Sequence, residues 1–232
     1  MEEIELHHYY MEYALLEKEF CDTLPYLTLD ICNKRAFSHA YVKILLQVGS
    51  LIDNVMKLFC RLLLQDIKIK TKYEKNLNIN AYKKYIGEYC LEPTEPKFYE
   101  QKIFIKISET YITPWENWNK GSSPVWWDIY NKLKHNRFEK IVIENTKKRK
   151  MRCYSYKCAN QEYTVLALGG LYQTIVYTYF QLQKKNNEKE TPKILTSIFA
   201  QKSKLFNMKG NFWASVTNIS DTFLIKEKRD QK

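Results

Sequence analysis

The sequence predicts a mainly α protein of long helices with a short inserted β element. Hydrophobic residues make up 45% of the 232 residues, which is enough to bury a core within one large domain. Glycine and proline number only six each, which excludes collagen-like, disordered and turn-dense all-β classes and favours long helices. Apolar residues also recur at spacings of three and four along much of the chain, as amphipathic helices require.

The elements follow from this periodicity and from the turn residues between them. Residues 34–65 show the longest helical pattern and should form the central core helix. The other predicted elements, in chain order, are helices over 6–21 and 81–89, a strand over 102–108, a helix from 124, a ribbon of strands over 140–145 and 151–157 with its tip at 146–150, a helix over 160–184 and a short helix from 192 to 201.

Residues 164–182 contain no charge and have the length of a membrane span. Gln173, Gln181 and several threonines and tyrosines interrupt the segment, so a buried core helix is predicted and no membrane association. Residues 1–185 are predicted to form the helical domain, with its core at 34–185. The remaining residues, 186–232, are predicted to be a C-terminal extension that is weakly ordered or packed on the bundle.

The net charge of +11 predicts an acidic partner, RNA or another polyanion. Residues 132–152 alone hold nine cations against two carboxylates, a net +7. The cations at the predicted ribbon tip are candidates for phosphate contact, and the alternative for them is an ordinary solvated loop. These tip cations are Lys147, Lys148, Arg149 and Lys150.

The segment 126–137 gathers aromatic rings, an amide, an imidazole and cations, as a site for chemistry on a phosphodiester requires. On a helix, Asn131 and His135 stand four residues apart and share a face, while an apolar seam lies on another side. The seam consists of Trp126, Tyr130 and Leu133. His135 is the candidate general acid or base, and the alternative for it is an imidazole that hydrogen-bonds a neighbour. The candidate phosphate-binding cations are Lys132, Lys134 and Arg137.

Polar residues also form a narrow stripe on the central helix, which includes Asp53, Asn54 and Arg61. Such a stripe is typical of a solvent-facing side. If it faces the His135 helix instead, Asp53 or Asn54 can orient the imidazole and Arg61 can bind phosphate. The tryptophans also have two possible roles, because they can stack on bases or belong to the hydrophobic core. The tryptophans concerned are Trp115, Trp118, Trp126 and Trp127, and Tyr130 supports the same helix.

The tryptophan-rich segment 114–118 and the motif Trp126-Trp127-x-x-Tyr130-Asn131-x-x-Lys134-His135-x-Arg137 resemble bacterial proteins of the HEPN superfamily. The resemblance implies an up-and-down helical bundle, commonly a homodimer, whose polar motif lines a cleft. It also implies a function in RNA chemistry, because many members are metal-independent ribonucleases that act as toxins or in phage defence. Others have lost catalysis and bind nucleotides, nucleic acid or partner proteins.

The catalytic pattern of that family is an arginine, then four to six residues, usually beginning with a polar one, then the histidine, and this chain has no arginine between Arg61 and His135. A lysine or Arg137 has to replace it, and lysine lacks the bidentate fork of arginine. On a regular helix Arg137 projects about 160° away from His135, since each residue turns the chain by about 100°. Arg137 therefore reaches the site only from a frayed helix end or from a dimer mate.

These observations give one leading function and one alternative. The leading hypothesis is a metal-independent ribonuclease of a toxin–antitoxin or anti-phage system, with His135 as general acid or base. The alternative is a catalytically inactive binding module, or a structural subunit that binds a protein from the same operon. The scattered cysteines and histidines lack zinc-site spacing, so neither a metal nor another cofactor is expected. The acidic start Met1-Glu2-Glu3 is no secretion signal, which predicts a cytoplasmic location.

Overall fold

The structure of the protein is a computed structural model that describes residues 2–64, 77–90, 97–144, 150–186 and 203–209. The short helix predicted from 192 to 201 lies outside these residues, as do most of the predicted ribbon tip and the tail beyond residue 209.

The described chain is mainly helical, with short antiparallel strands, which confirms the predicted helical bundle with a β element. The helices are α1 Glu2–Cys21, α2 His39–Leu64, α3 Ile79–Tyr89, α4 Val125–His135 and α5 Gln161–Asn186. The strands are β1 Ile103–Ile105, β2 Thr110–Ile112, β3 Lys140–Glu144, β4 Lys150–Tyr154 and β5 Phe206–Met208.

Helices α2 and α5 pack together along the centre of the bundle, and α1 contacts both of them. The apolar positions of α2 recur every three or four residues, so one broad face of this helix is buried, as its periodicity predicted. Helix α5 is also buried along most of its length. Its threonines can be buried because their hydroxyl groups form hydrogen bonds within the helix. Thr174 and Thr178, for example, each donate to the carbonyl four residues earlier at 2.7 Å. Of the helices in the described part of the chain, none combines the length and hydropathy of a membrane-crossing segment.

Helix α4 lies against both central helices at positions where they carry glycine. The ring of Tyr130 occupies the space where a side chain at Gly49 of α2 would be, because a Cβ atom there would lie 2.3 Å from Tyr130 Cδ2. The ring of Trp126 similarly approaches Gly170 of α5, and its Nε1 donates to the carbonyl of Pro114 at 2.8 Å. These close approaches fix both the depth and the rotation of α4.

Two small sheets complete the fold. Strands β3 and β4 form the predicted basic ribbon, with Lys140 opposite Tyr154 at its base. The other sheet has the order β2-β1-β5, in which Phe104 of β1 pairs with Tyr111 on one side and with Asn207 on the other. Strand β5 belongs to the predicted C-terminal extension, so at residues 203–209 this extension packs on the bundle.

The segment that leads into β5 surrounds a buried carboxylate of α1, Glu17. Its oxygens accept hydrogen bonds from the Ser203 hydroxyl and from the backbone N–H groups of Lys204 and Leu205, the last two at 3.0 Å. The Tyr13 hydroxyl donates a further bond at 2.7 Å. A buried carboxylate requires such donors, so Glu17 ties the C-terminal segment to the first helix.

Candidate nucleic-acid interface

Helix α4 divides into a buried side and an exposed side. Trp126, Tyr130 and Leu133 are buried, which confirms the predicted apolar seam. Lys132, Lys134 and His135 are exposed. The sequence folds this way because the large apolar rings occupy the gap between α2 and α5, which leaves the cations in water.

His135 is the last residue of α4. Its side chain is exposed and has no hydrogen-bond or ion-pair partner within the described residues; Asn131, one turn earlier, is half-buried. The helix ends because the Asn136 N–H bonds back to the Lys132 carbonyl at 2.8 Å while Asn136 leaves helical geometry. Arg137 therefore lies in the turn beyond the helix, and the regular-helix angle of about 160° from His135 does not apply to it.

The turn after α4 is held by one buried serine. The Ser155 hydroxyl lies 2.6 Å from the carbonyl oxygens of both Asn136 and Arg137. The backbone N–H of Ser155 donates to the carbonyl oxygen of Glu139 at 2.9 Å, and the N–H of Tyr156 donates to the carbonyl oxygen of Arg137 at 3.2 Å. These bonds fix the His135 end of α4 against the 3₁₀ turn Ser155–Cys158, which follows the ribbon.

Five rings from three parts of the chain meet beside this turn and form what we call the aromatic surface. It consists of Phe37, His39, Phe138, Tyr154 and Tyr156. Tyr156 lies at the centre, with His39 and Tyr154 nearly parallel to it at interplanar angles of 4° and 16°. Phe37 and Phe138 stand edge-on to Tyr156, with ring centroids 6.0 and 5.9 Å away. Phe138 is 75% exposed, Phe37 42% and Tyr154 38%.

Cations lie over the rings of the aromatic surface. Lys140 Nζ is 5.8 Å from the centroid of Tyr154, and Lys157 Nζ is 6.0 Å from that of Tyr156. Arg152, two residues before Tyr154, is also exposed. On the other side of the turn, Lys134 lies 5.8 Å from the Tyr130 centroid.

Cations outnumber carboxylates at this end of the described chain. The described part of the segment 132–157 contains seven lysines and arginines against two glutamates, and Asp128 on α4 interacts electrostatically with Lys132. The ion pairs that the described chain forms lie elsewhere, on α1, α2, α3 and the two ends of α5. The carbonyl end of α4 adds only about half a negative charge. The local field is therefore strongly positive and suits a polyanion.

The polar stripe of α2 has its partners elsewhere in the bundle. Asp53 accepts hydrogen bonds from Tyr82 of α3 at 2.8 Å and from Lys57 at 2.6 Å. Arg61 forms a bidentate ion pair with Glu5 of α1, at 3.0 Å to each oxygen. Asn54 lines a groove between α1 and α2. The structure thus does not bring these three side chains to His135.

The tryptophans prove to be core residues rather than exposed stacking surfaces. Their ring centroids lie between 4.6 and 5.8 Å apart in one buried cluster. The members are Trp115, Trp118, Trp126 and Trp127. Among the ribbon-tip cations, Lys150 begins β4, whereas Lys147, Lys148 and Arg149 lie outside the described residues.

The sequence did not identify the residues of the aromatic surface as a site. The available signal is local, because residues 152–157 interleave Arg152, Tyr154, Tyr156 and Lys157, a pattern typical of nucleic-acid binding. Phe37 and His39 carry no such signal, because they precede this segment by more than a hundred residues.

Within the described ranges, no three His, Cys, Asp or Glu side chains lie together as a metal site would require. No protein-family model matches the chain, and neither a curated protein nor a solved structure matches it.

Proposed function

We propose that the protein binds RNA at the His135 end of α4. The supporting observation is the excess of positive charge around this helix end, where Lys134 and Arg137 are exposed, Lys132 is half-buried, and all three are close in sequence to the exposed His135 imidazole. A polyanion gains affinity there by releasing counterions, and each neutralised phosphate adds to the gain. Ordinary surface lysines face carboxylates elsewhere in this bundle, so the cations at this end are available for a ligand.

His135 is the candidate catalytic residue for cleavage of the bound RNA. Its imidazole takes the proton of a ribose 2′-hydroxyl, and the 2′-oxygen then attacks the adjacent phosphorus. The bond from phosphorus to the 5′-oxygen breaks, and that oxygen receives a proton from a general acid. The products are a 2′,3′-cyclic phosphate and a 5′-hydroxyl. Lys134 or Arg137 offsets the negative charge that develops on the phosphate oxygens.

Binding without cleavage is the second candidate function. The observation that favours it is the lack of a described side chain that orients the His135 imidazole. General-base histidines are commonly held in one tautomer by a hydrogen bond to a neighbour. The missing family arginine favours the same alternative, because the described chain offers Arg137 only from the turn beyond α4.

The relationship to the HEPN superfamily, the homodimer, the defence role and the partner from the same operon stay predictions that rest on the sequence resemblance. The helical bundle with a central pair of long helices is compatible with them. A dimer has one specific use here, because a second copy could supply an arginine to the exposed imidazole.

The test is cleavage of mixed cellular RNA by purified protein in the presence of a chelator. Wild type is compared with His135→Ala, and His8→Ala is the matched control because His8 is an exposed histidine on α1. The expected result is RNA with cyclic-phosphate ends from wild type and the control, and intact RNA from His135→Ala. DNA of the same length should survive, since it lacks the 2′-hydroxyl.

Two other outcomes separate the alternatives. Intact RNA together with salt-dependent binding would assign the binding-only function. Intact RNA without binding at low ionic strength would overturn the proposal altogether.

A further inference from the structure

We propose that the aromatic surface is a stacking site for unpaired bases, so that the RNA bound at this end is single-stranded. The inference rests on the proposed function, because it names the form of RNA that the basic end of α4 accepts. It goes beyond that function because charge alone does not distinguish a single strand from a duplex.

Phe138 is positioned to receive a ligand rather than to stabilise the fold, whereas the half-buried Tyr156 packs against the core and supports the other rings. Phe138 contacts Tyr156 only edge-on, and its side chain is 75% exposed. Burial stabilises a phenylalanine roughly in proportion to the apolar area removed from water, so this ring contributes little to stability. A flat ligand that covers Phe138 buries most of the exposed apolar area of this ring on binding.

The arrangement of rings and cations matches the two repeating parts of a polynucleotide. Every base has a π face that can stack on an aromatic side chain, and every phosphate carries a charge that a lysine can neutralise. Lys140 and Lys157 lie over the rings of Tyr154 and Tyr156, so they can bind the phosphates of a strand whose bases stack on the exposed neighbouring rings. An apolar peptide would use the rings but would leave these cations without a function.

The backbone around the rings is held in place before the ligand arrives. Ser155 lies between Tyr154 and Tyr156, is fully buried and binds both carbonyl groups of the turn that leads to Phe138. The backbone that carries Phe138, Tyr154 and Tyr156 is therefore held next to the His135 end of α4. Preorganisation of this kind reduces the entropy that stacking has to overcome.

A duplex cannot use this surface, because its bases are already stacked on one another and only its edges and backbone are accessible. The inference therefore predicts a preference for single strands. It also predicts that this preference depends on the rings, whereas affinity for a duplex depends on the cations.

The experiment measures fluorescence anisotropy of a labelled 2′-O-methyl oligonucleotide, which the proposed cleavage cannot cut. The probe has about twelve nucleotides, within the range that one such surface covers, and is used single-stranded and annealed to its complement. Phe138→Ala should weaken single-strand binding at least about fivefold and leave duplex binding unchanged. Phe138→Trp should retain single-strand binding. Tyr26→Ala is the matched control, because Tyr26 is 90% exposed and is not one of the five rings, and should change neither.

Inorganic polyphosphate, a polyanion without bases, separates failure of this inference from failure of the proposed function. If polyphosphate competes with both probes but Phe138→Ala weakens neither, the basic surface binds anions and the stacking site is overturned. If neither probe nor polyphosphate binds, the proposed function fails as well. Sedimentation of the free protein provides the last check, because a dimer that Phe138→Ala dissociates would make the aromatic surface an interface between copies and overturn the inference.

Discussion

Replacement of Gly49 by alanine should destabilise the protein, although alanine is the better helix former. A Cβ atom at this position of α2 would lie 2.3, 2.5 and 2.6 Å from three carbon atoms of the Tyr130 ring. Ordinary contacts between carbon atoms are about 3.5–4.0 Å, so the ring would have to retreat by about 1 Å. Tyr130 cannot retreat freely, because the ring of Trp127 lies against it at a centroid distance of 5.2 Å.

The net effect is the difference between two opposing contributions. Overpacking of a well-filled core costs about 1–3 kcal/mol. Replacing glycine by alanine inside a helix contributes up to about 1 kcal/mol in the opposite direction. The 2.3 Å approach is severe, which places the overpacking cost in the upper part of that range, at about 2–3 kcal/mol. Gly49→Ala should therefore lower the free energy of unfolding by about 1–2 kcal/mol. Gly87→Ala in α3 is the matched control, because its Cβ would approach only Tyr99 Oη, at 3.4 Å, and it should stabilise the protein or leave it unchanged.

Urea denaturation monitored by tryptophan fluorescence measures both variants. With an ordinary m-value, the midpoint of Gly49→Ala should fall by roughly 0.5–1 M while that of Gly87→Ala does not. Tyr130→Leu combined with Gly49→Ala should cost less than the sum of the single changes, since the ring that obstructs the new methyl group is gone. A Gly49→Ala protein as stable as wild type would refute the packing of α4 against α2 described above.

Three further predictions concern the buried carboxylate, the basic surface and a half-buried thiol. Glu17→Ala should lower the free energy of unfolding by at least about 2 kcal/mol, because it leaves buried donors unpaired, whereas exposed Glu12→Ala should change it by less than about 0.5 kcal/mol. In anisotropy titrations with single-stranded RNA, Lys134→Ala or Arg137→Ala should each reduce the magnitude of the slope of log affinity against log salt concentration by about 0.7. Lys18→Ala, which removes the ion-pair partner of Asp22, should leave the slope unchanged. Burial raises the pKa of the Cys21 thiol to about 11, so its alkylation should accelerate about tenfold for each pH unit between roughly 8 and 10; a plateau near pH 9 would contradict this.

The elements that the sequence predicted are those whose pattern is contained in one segment. The 34–65 periodicity became α2, and the alternation on each side of the ribbon tip became β3 and β4, because the spacing within each segment decides which face is buried. The apolar seam of α4 was predictable for the same reason. A pattern of this kind can be interpreted without knowing which element packs against the segment.

The elements that the sequence did not predict depend on distant partners. Strands β2 and β5 are three residues long, too short for an alternating pattern, and each exists because it pairs with β1. The aromatic surface joins Phe37 to Phe138 and Tyr156, and no local spacing indicates that contact. The partners of Arg61 and Asp53 could not be predicted either, because a polar stripe on one helix does not indicate which neighbouring helix packs against it.

The bonds around Glu17 have a consequence for the order in which the described helices reach their native environment during synthesis. The donors at Ser203 and Leu205 follow Glu17 by 186 and 188 residues. A ribosome that adds about 5–20 residues per second needs roughly 10–40 s to cover that distance. During this interval the Glu17 carboxylate lacks the donors of residues 203–205, so burial of α1 is disfavoured until that segment has been made. Helix α1 precedes the other described helices in the chain and is thus among the last of them to reach its native environment.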